Sequence, residues 1–190
     1  MTYPVVFQLG PLHIHAHLVF ELLAYSLGYQ YYRWLRRRKN DPITEEHRLI
    51  IFIGAAFGAF WGSHLLGIIE RPDDLKTTWF LYFLANKTIV GGLLGGLAGV
   101  EITKKFLGVT RSSGDLMTFP LMLGLAIGRL GCHLHGLADS TFGLPTTLPW
   151  GVDFGDGIPR HPVNGYEILF LAALALFIFT LASRRPLPEG

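Results

Sequence analysis

Ionisable and nucleophilic side chains crowd into residues 128–139, GRLGCHLHGLAD, at the end of an otherwise apolar run. The segment contains Arg129, the only cysteine of the chain (Cys132), His133, His135 and Asp139. An arginine at the end of a membrane span is costly unless it is solvated or paired with an anion, and such residues are functional candidates. We therefore predict a functional site at this segment. The alternative for the arginine is snorkelling to the lipid headgroups.

The spacing of the histidines argues against a dedicated metal centre. On a helix, residues two apart point about 200° apart, so His133 and His135 do not chelate one ion from one helix face. An extended chain would bring them together, and Gly131 and Gly136 would permit such a break. Other histidines on the same predicted side of the membrane are His13, His15, His17, His64 and His161. Because no pair with chelating spacing lies on a clear helix, we expect hydrogen-bonded interfacial histidines, no metal and no other cofactor.

Cys132 admits two interpretations. It is either a small buried residue or a thiolate activated by the neighbouring Arg129 and His133. The sequence favours the buried residue, because the motif of a known cysteine nucleophile does not surround it.

A second candidate segment, PRHPVNGYE, covers residues 159–167. Arg160 precedes an apolar run and is placed to bind a lipid phosphate bidentately. The alternative is a surface ion pair with Asp153 or Asp156. Glu167 falls inside the apolar run and must be paired or protonated there, which makes Arg129 or Arg160 its expected partner.

The composition predicts a membrane protein. Of the 190 residues, 50% are apolar and only 16% are charged, with a mean hydropathy of +0.37. Soluble domains carry about 25% charged residues. The net charge of +2 gives no argument for nucleic-acid binding, and one cysteine excludes an internal disulfide. The N-terminus has neither a basic start nor a small-residue cleavage site, so we expect it to belong to the mature protein.

Five segments are long and apolar enough to span a bilayer or nearly so: 16–35, 49–69, 86–103, 114–134 and 164–183. We therefore predict an all-α bundle of about five transmembrane helices, forming a single membrane-embedded domain over 1–190. Glu21 lies in the first span and is expected to be a second buried carboxylate. The third span, with VGGLLGGLAGV, is glycine-dense, and most of these glycines are expected to serve helix packing.

The basic residues predict the orientation of these spans. With the N-terminus outside, eleven of the sixteen lysines and arginines fall on the inner side. Those eleven are Arg33, Arg36, Arg37, Arg38, Lys39, Arg48, Lys104, Lys105, Arg111, Arg184 and Arg185. The five on the outer side are Arg71, Lys76, Lys87, Arg129 and Arg160. The positive-inside rule then gives an outer N-terminus and an inner C-terminus, with both candidate segments at the outer face.

Four short motifs follow one another along the chain: VVFQLGPLHIH, VGGLLGG, GRLG followed by a glycine, and RHPVNGYE. In this order they resemble the motifs of the bacterial prolipoprotein diacylglyceryl transferase family. The matching positions are Gly10, Pro11, His15, Gly91, Gly92, Leu93, Arg129, Gly136, Arg160, His161, Pro162, Tyr166 and Glu167.

The resemblance implies a specific activity. Enzymes of this family take the diacylglyceryl group from phosphatidylglycerol and join it to a cysteine thiol of a lipoprotein precursor, at the outer face of the bacterial cytoplasmic membrane. Glycerol phosphate leaves. The resemblance implies that phosphate and lipid are bound by Arg129, Arg160, Gly91, Gly92 and His15. Bases for the incoming thiol are expected among His133, His135 and His161, with Arg129 counted among the catalytic residues. Supporting roles are expected for Glu21, Asp139, Tyr166 and Glu167.

The chain departs from the family pattern at five positions. Val90 stands where the family has its catalytic histidine. Cys132 and His135 stand at signature asparagines, Leu137 at a signature glutamate and Glu21 at a tyrosine. The chain also ends after the fifth predicted span, where the family continues, so we expect a divergent, C-terminally short member.

Two other functions remain open at this stage. One is a non-catalytic phospholipid-binding or assembly subunit that kept the fold, which the valine at position 90 favours. The other is a histidine-based metal or haem membrane protein. Turnover of phosphatidylglycerol distinguishes the transferase from the non-catalytic subunit. Metal analysis of the purified protein tests for the metal or haem protein.

The predicted orientation can be checked by cysteine labelling. We expect a membrane-impermeant maleimide to label Asp153→Cys from outside intact cells, and to label Lys39→Cys only after the membrane is opened. The parent protein supplies the background from Cys132. Labelling of the two sites in the opposite order would overturn both the topology and the outward-facing site.

Overall fold

The computed structural model describes residues 2–39, 41–70, 83, 86–112, 114–139 and 141–184. Within these ranges there are five α-helices. They are α1 (Ala16–Arg38), α2 (Glu45–Glu70), α3 (Ile89–Leu107), α4 (Asp115–His135) and α5 (Val163–Arg184). Two short antiparallel hairpins accompany them: β1 (Val6–Leu9) with β2 (Leu12–His15), and β3 (Val152–Asp153) with β4 (Pro159–Arg160). The prediction of an all-α membrane protein is confirmed.

Three of the helical segments are long and apolar enough to cross a membrane: Glu45–Glu70, Asp115–Asp139 and Val163–Arg184. Their mean hydropathies are 1.8, 1.3 and 2.1. The most apolar stretch of α5 has no residue buried inside the protein, as expected for a helix surface that lipid covers. Helices α1 and α3 lie outside this criterion, so the five-span topology stays a prediction. Glu21 is exposed on α1, which differs from the buried carboxylate expected there.

The described chain forms two compact units, Met1–Asn40 with Ser112–Gly190 and Asp41–Arg111. The single-domain organisation over 1–190 stays a prediction. In the first unit, α1 packs along α4, and Gly28 lies where a Cβ would be 3.3 Å from the Pro120 carbonyl oxygen. The β1–β2 hairpin is tied to both helices. The Val5 amide donates to the Leu134 carbonyl, and the Val5 carbonyl accepts from the Ala16 amide, both at 2.9 Å.

The second unit is the antiparallel pair α2–α3, which packs glycine against glycine. The contacting glycines are Gly54, Gly58 and Gly62 on α2 and Gly91, Gly95 and Gly99 on α3. A Cβ added to Gly62 would lie 2.7 Å from the Gly95 Cα, and one added to Gly95 would lie 2.8 Å from the Gly62 Cα. Small residues permit this approach of two backbones in lipid, so the predicted packing role of these glycines is confirmed.

Polar contacts fix the ends of this helix pair. Thr88 caps α3 by accepting a hydrogen bond from the Gly91 amide at 3.0 Å. Ser63 Oγ of α2 donates to the Thr88 carbonyl at 2.8 Å. At the start of α2, the Arg48 guanidinium makes two 2.7 Å hydrogen bonds to the Asp41 carboxylate, and both side chains are buried. A buried arginine paired in this fork geometry leaves no charge uncompensated.

Neighbouring glycines of α3 should respond in opposite ways to the same substitution. Gly95→Ala places a methyl group against the α2 backbone and should destabilise the protein by about 1–3 kcal/mol. Gly96→Ala is the matched control, because its Cβ would make only ordinary van der Waals contacts, with Ala59 Cβ at 3.5 Å and the Ala55 carbonyl oxygen at 3.6 Å. That variant should be neutral or stabilised by up to about 1 kcal/mol. Thermal unfolding in detergent measures both, and equal melting temperatures would contradict the glycine-packing account.

Candidate active site

Helix α4 runs without interruption through the 128–135 segment and ends at Gly136, whose φ of +63° favours glycine. The extended break that would have joined His133 to His135 is therefore absent from this described helix. Arg129 is three residues before Cys132 and four before His133, and Cys132 is three before His135, so these side chains lie on adjoining parts of the α4 surface. Their contacts with other elements divide them into two groups.

The first group gathers three histidines where the β1–β2 hairpin meets the end of α4. The His135 ring lies 5.5 Å from the His15 ring and 5.1 Å from the His17 ring, measured between centroids. This proximity follows from the hydrogen bond between Val5 and Leu134, which docks the hairpin on α4. His15 and His135 were predicted site residues and are brought together. His17 was not predicted as one.

His17, Cys132 and Asp139 form a cluster in which one donor atom from each lies within 4.8 Å of the others. His17 Nε2 is 3.7 Å from Asp139 Oδ1. Asp139 lies in a 3-10 turn, Gly136–Asp139, that directly follows α4. The close approach depends on Gly131, where a Cβ would lie 3.3 Å from the His17 carbonyl oxygen.

A polar chain orients the Asp139 carboxylate. Thr141 Oγ1 lies in hydrogen-bonding contact with Asp139 Oδ2 and 3.3 Å from Asn164 Oδ1. Asn164, in the first turn of α5, is 3% exposed. Because Oδ2 is occupied by the threonine, Oδ1 is the oxygen that faces His17. Neither Thr141 nor Asn164 was predicted, since neither carries an ionisable group.

The second group is an ion pair between α4 and α5. Arg129 Nη2 donates to Glu167 Oε1 at 3.1 Å, and Arg129 Nε contacts Glu167 Oε2. The prediction that Glu167 pairs with an arginine is confirmed, and Arg129 is that partner. The side chains are 17% and 40% exposed, so the pair is open on one side. An arginine has five N–H donors, and this pairing uses two of them.

His133 lies in an aromatic pocket, away from the first group. Its ring centroid is 5.5 Å from that of Phe154 and 6.3 Å from that of Tyr3. Phe154 is buried. Within the described residues, the Nδ1 atoms of His133 and His135 are buried without a hydrogen-bond partner. The pocket around the His133 ring is therefore chiefly aromatic.

The loop 141–162 holds Arg160 beside a carboxylate of its own. Arg160 pairs with Asp156, and its guanidinium carbon lies 5.1 Å from the Phe142 ring centroid. The alternative that sequence reasoning left open, an ion pair with Asp156, is confirmed. Arg160 Nε is buried without a hydrogen-bond partner among the described residues. Arg129 and Arg160 therefore pair with different carboxylates, and the expectation that both bind a lipid phosphate stays a prediction.

His161 is held by a chain of two hydrogen bonds. Trp150 Nε1 donates to Tyr166 Oη at 2.7 Å, because an indole N–H only donates. Tyr166 Oη and His161 Nδ1 share the second hydrogen bond, at 3.1 Å. His161 and Tyr166 were predicted site residues, whereas Trp150 was not.

Gly91 and Gly92 lie in the Asp41–Arg111 unit, in the first turn of α3. Gly91 is buried against Gly62, and a Cβ there would be 2.8 Å from Leu66 Cβ. Gly92 has looser surroundings, with the nearest atom, Ser63 Cβ, at 3.7 Å. Their predicted contact with lipid stays a prediction, while helix packing accounts for Gly91.

Comparison with known proteins gives a consistent result. The family model described as prolipoprotein diacylglyceryl transferase matches residues 4–190. Relatives named phosphatidylglycerol–prolipoprotein diacylglyceryl transferase occur in several bacteria. The protein of Geobacter sulfurreducens is 28% identical over 198 residues, covering 98% of this chain and 74% of the relative. That of Coxiella burnetii is 32% identical over 206 residues, covering 98% and 73%. That of Wolbachia pipientis subsp. Culex pipiens is 31% identical over 189 residues, covering 92% and 67%.

The Arg160–Asp156 pair should be visible in the titration of the carboxyl group. Desolvation acts to raise the pKa of Asp156, but the hydrogen bonds from Arg160 and from the Ile158 amide, with the Arg160 charge, lower it below the ordinary value of 3.8. Carbon-13 NMR should show that Arg160→Gln raises this pKa, while Arg37→Gln on α1 leaves it unchanged. Because the folded pKa is the lower one, the pair stabilises the loop above about pH 3.8 and loses this effect as the pH falls through the lowered pKa. An unchanged titration in Arg160→Gln would contradict the pairing.

Proposed function

Because the chain belongs to the prolipoprotein diacylglyceryl transferase family, we propose that it transfers the diacylglyceryl group of phosphatidylglycerol to the thiol of a lipoprotein precursor. The observation that carries this proposal is the family match over 4–190, which includes the Arg129 and Arg160 motifs. The relatives' names supply both substrates. The histidine, cysteine and aspartate side chains that meet at the end of α4 support an enzyme rather than a non-catalytic subunit with the same fold.

The proposed location is the bacterial cytoplasmic membrane, with the site facing outward. The apolar helices support the membrane, and the excess of basic residues on the opposite side supports the orientation. Phosphatidylglycerol would then reach the site laterally from the outer leaflet. The precursor would present its cysteine from the same side.

On the donor side, Arg129 binds the phosphate of phosphatidylglycerol. The ion pair with Glu167 uses two of its five N–H donors and fixes the plane of the guanidinium. A phosphate held this way gains charge as the leaving glycerol phosphate forms, so the contact strengthens during the reaction. Arg160, whose Nε is buried without a hydrogen-bond partner among the described residues, is the proposed second phosphate ligand.

On the acceptor side, the thiol must lose its proton before it attacks the glyceryl carbon. The group of His15, His17 and His135 is the proposed location of this step, because the three imidazole rings lie together and Asp139 Oδ1, 3.7 Å from His17 Nε2, orients the His17 ring. This group stands in for the histidine that Val90 replaces. His133 and His161 are the remaining candidates for the base. They are weaker candidates, because His133 lies in an aromatic pocket and His161 Nδ1 is already hydrogen-bonded to Tyr166.

The arginines provide the test of the proposed reaction. Arg129→Lys keeps the charge but loses the two-pronged geometry, so release of glycerol phosphate from phosphatidylglycerol should fall by about tenfold or more, equal to about 1.4 kcal/mol. Arg160→Lys should weaken turnover in the same direction. The assay uses phosphatidylglycerol vesicles and a precursor peptide, and it counts both released glycerol phosphate and lipidated peptide.

Arg37→Lys is the matched control, because Arg37 is exposed about 30 Å along α1 from His17. It should retain full turnover. The melting temperatures of all three variants should match the parent protein. If Arg129→Lys and Arg160→Lys both keep full turnover in folded protein, the two arginines are structural anchors and the phosphate-binding role is wrong.

A further inference from the structure

We propose that His17, Cys132 and Asp139 bind a zinc ion whose fourth coordination position takes the acceptor thiol. The three residues come from the first turn of α1, the last turn of α4 and the 3-10 turn that follows it. They supply one imidazole nitrogen, one sulfur and one carboxylate oxygen, all within 4.8 Å of one another. This grouping revises the expectation of no metal, which considered only histidine pairs on one helix face.

The donor set fits zinc in kind and in number. Zinc binds cysteine sulfur, histidine nitrogen and carboxylate oxygen at about 2.0–2.3 Å, and its catalytic sites use three protein ligands with an open fourth position. Ligand atoms on a tetrahedral zinc are roughly 3.3–3.7 Å apart. His17 Nε2 and Asp139 Oδ1 are already 3.7 Å apart, so small side-chain rotations complete the set.

Neighbouring side chains hold two of the three proposed ligands, Asp139 and His17, in place. Metal-bound carboxylates are themselves hydrogen-bonded, and Thr141 holds the Asp139 oxygen that faces away from the cluster. Thr141 is in turn next to the buried Asn164. On the other side, the His135 ring packs against the His17 ring and limits its rotation.

The role of the zinc ion, activation of the acceptor thiol, rests on the proposed function. Its position rests only on the geometry of His17, Cys132 and Asp139. When zinc is bound, His17 and Asp139 are its ligands, so the acceptor thiol releases its proton to solvent and not to the His17 imidazole, because a coordinated thiol is deprotonated. The thiolate sulfur then attacks the glyceryl carbon of phosphatidylglycerol. A C–S bond forms as the C–O bond to the phosphate breaks, and glycerol phosphate leaves with the electron pair. Arg129 is three residues from Cys132 on α4, about 4.5 Å along the axis, so phosphate and sulfur are bound side by side.

Metal analysis tests the site directly. Untagged full-length protein reconstituted with zinc should hold about one zinc per chain after dialysis, measured by mass spectrometry. Cys132→Ser and Asp139→Asn should each lower this at least tenfold. His13→Gln, which removes an exposed histidine of β2, is the matched control and should keep the metal. Folded parent protein without zinc would overturn the proposal whatever the variants do.

Cobalt substitution tests the ligands and the open position without relying on activity. The cobalt protein should show a thiolate charge-transfer band that Cys132→Ser lacks. A peptide with one cysteine should intensify the band, and its serine counterpart should not. Thr141→Val should weaken metal binding about 10–100-fold through loss of the carboxylate support, while Thr147→Val, in the same loop, should not. A band that the cysteine peptide leaves unchanged would overturn the role of the open position.

The vesicle assay then separates this inference from the proposed function. Transfer that stops when zinc is chelated and returns when zinc is added supports both. Full transfer by metal-free protein overturns the zinc site and leaves the transferase function standing. Stoichiometric zinc with a thiol-sensitive cobalt band, but no transfer from phosphatidylglycerol, overturns the transferase function and leaves the thiol-binding zinc site standing.

Discussion

One close approach between α1 and α4 holds the candidate active site together. Gly131 is buried, and a Cβ at this position would come within 2.9 Å of Phe20 Cβ and 3.3 Å of the His17 carbonyl oxygen. Because the two backbones pass so near each other, the first turn of α1 lies over the last turn of α4. The β1–β2 hairpin depends on the same contact, since Val5 bonds to both helices. A larger residue at position 131 would separate all of these elements at once.

Hydropathy located the five helices given above for the described residues, but not their ends. Each of the five apolar segments contains one of these helices, because an apolar chain segment satisfies its backbone hydrogen bonds within itself as a helix. The third begins at Ile89 rather than residue 86, since Thr88 provides the cap. The first continues to Arg38, where basic side chains in the last turn favour the helix terminus. The hairpins escaped prediction because strands of two to four residues give too short an alternation to detect.

The candidate site was predictable where a single physical rule applies. A glutamate inside an apolar run must be paired, which predicted an arginine partner for Glu167 and left Arg129 and Arg160 open; the partner is Arg129. Proximity in sequence gave Asp153 or Asp156 as the alternative partner of Arg160, and it is Asp156. The three-residue cluster was not predictable, because 115 residues separate His17 from Cys132 (132 − 17). Nothing along the chain indicates that the first turn of α1 brings His17 to the end of α4. Thr141 and Asn164 were not predicted as site residues for a different reason. Uncharged side chains do not indicate a site in the sequence until their hydrogen-bond partners are known.

The glycine contacts between α2 and α3 also determine how this unit responds to heat. A leucine or isoleucine that becomes packed loses about 0.5–1 kcal/mol of side-chain conformational entropy, whereas a glycine loses none. Six interdigitated glycines thus spare the helix pair roughly 3–6 kcal/mol of ordering cost relative to an interface of large side chains. In a bilayer the helices form before they associate, so the glycines have already lost their backbone conformational entropy when α2 and α3 meet. Association of α2 with α3 is therefore dominated by dispersion and should weaken only gradually with rising temperature, since few rotamers are released when the pair separates.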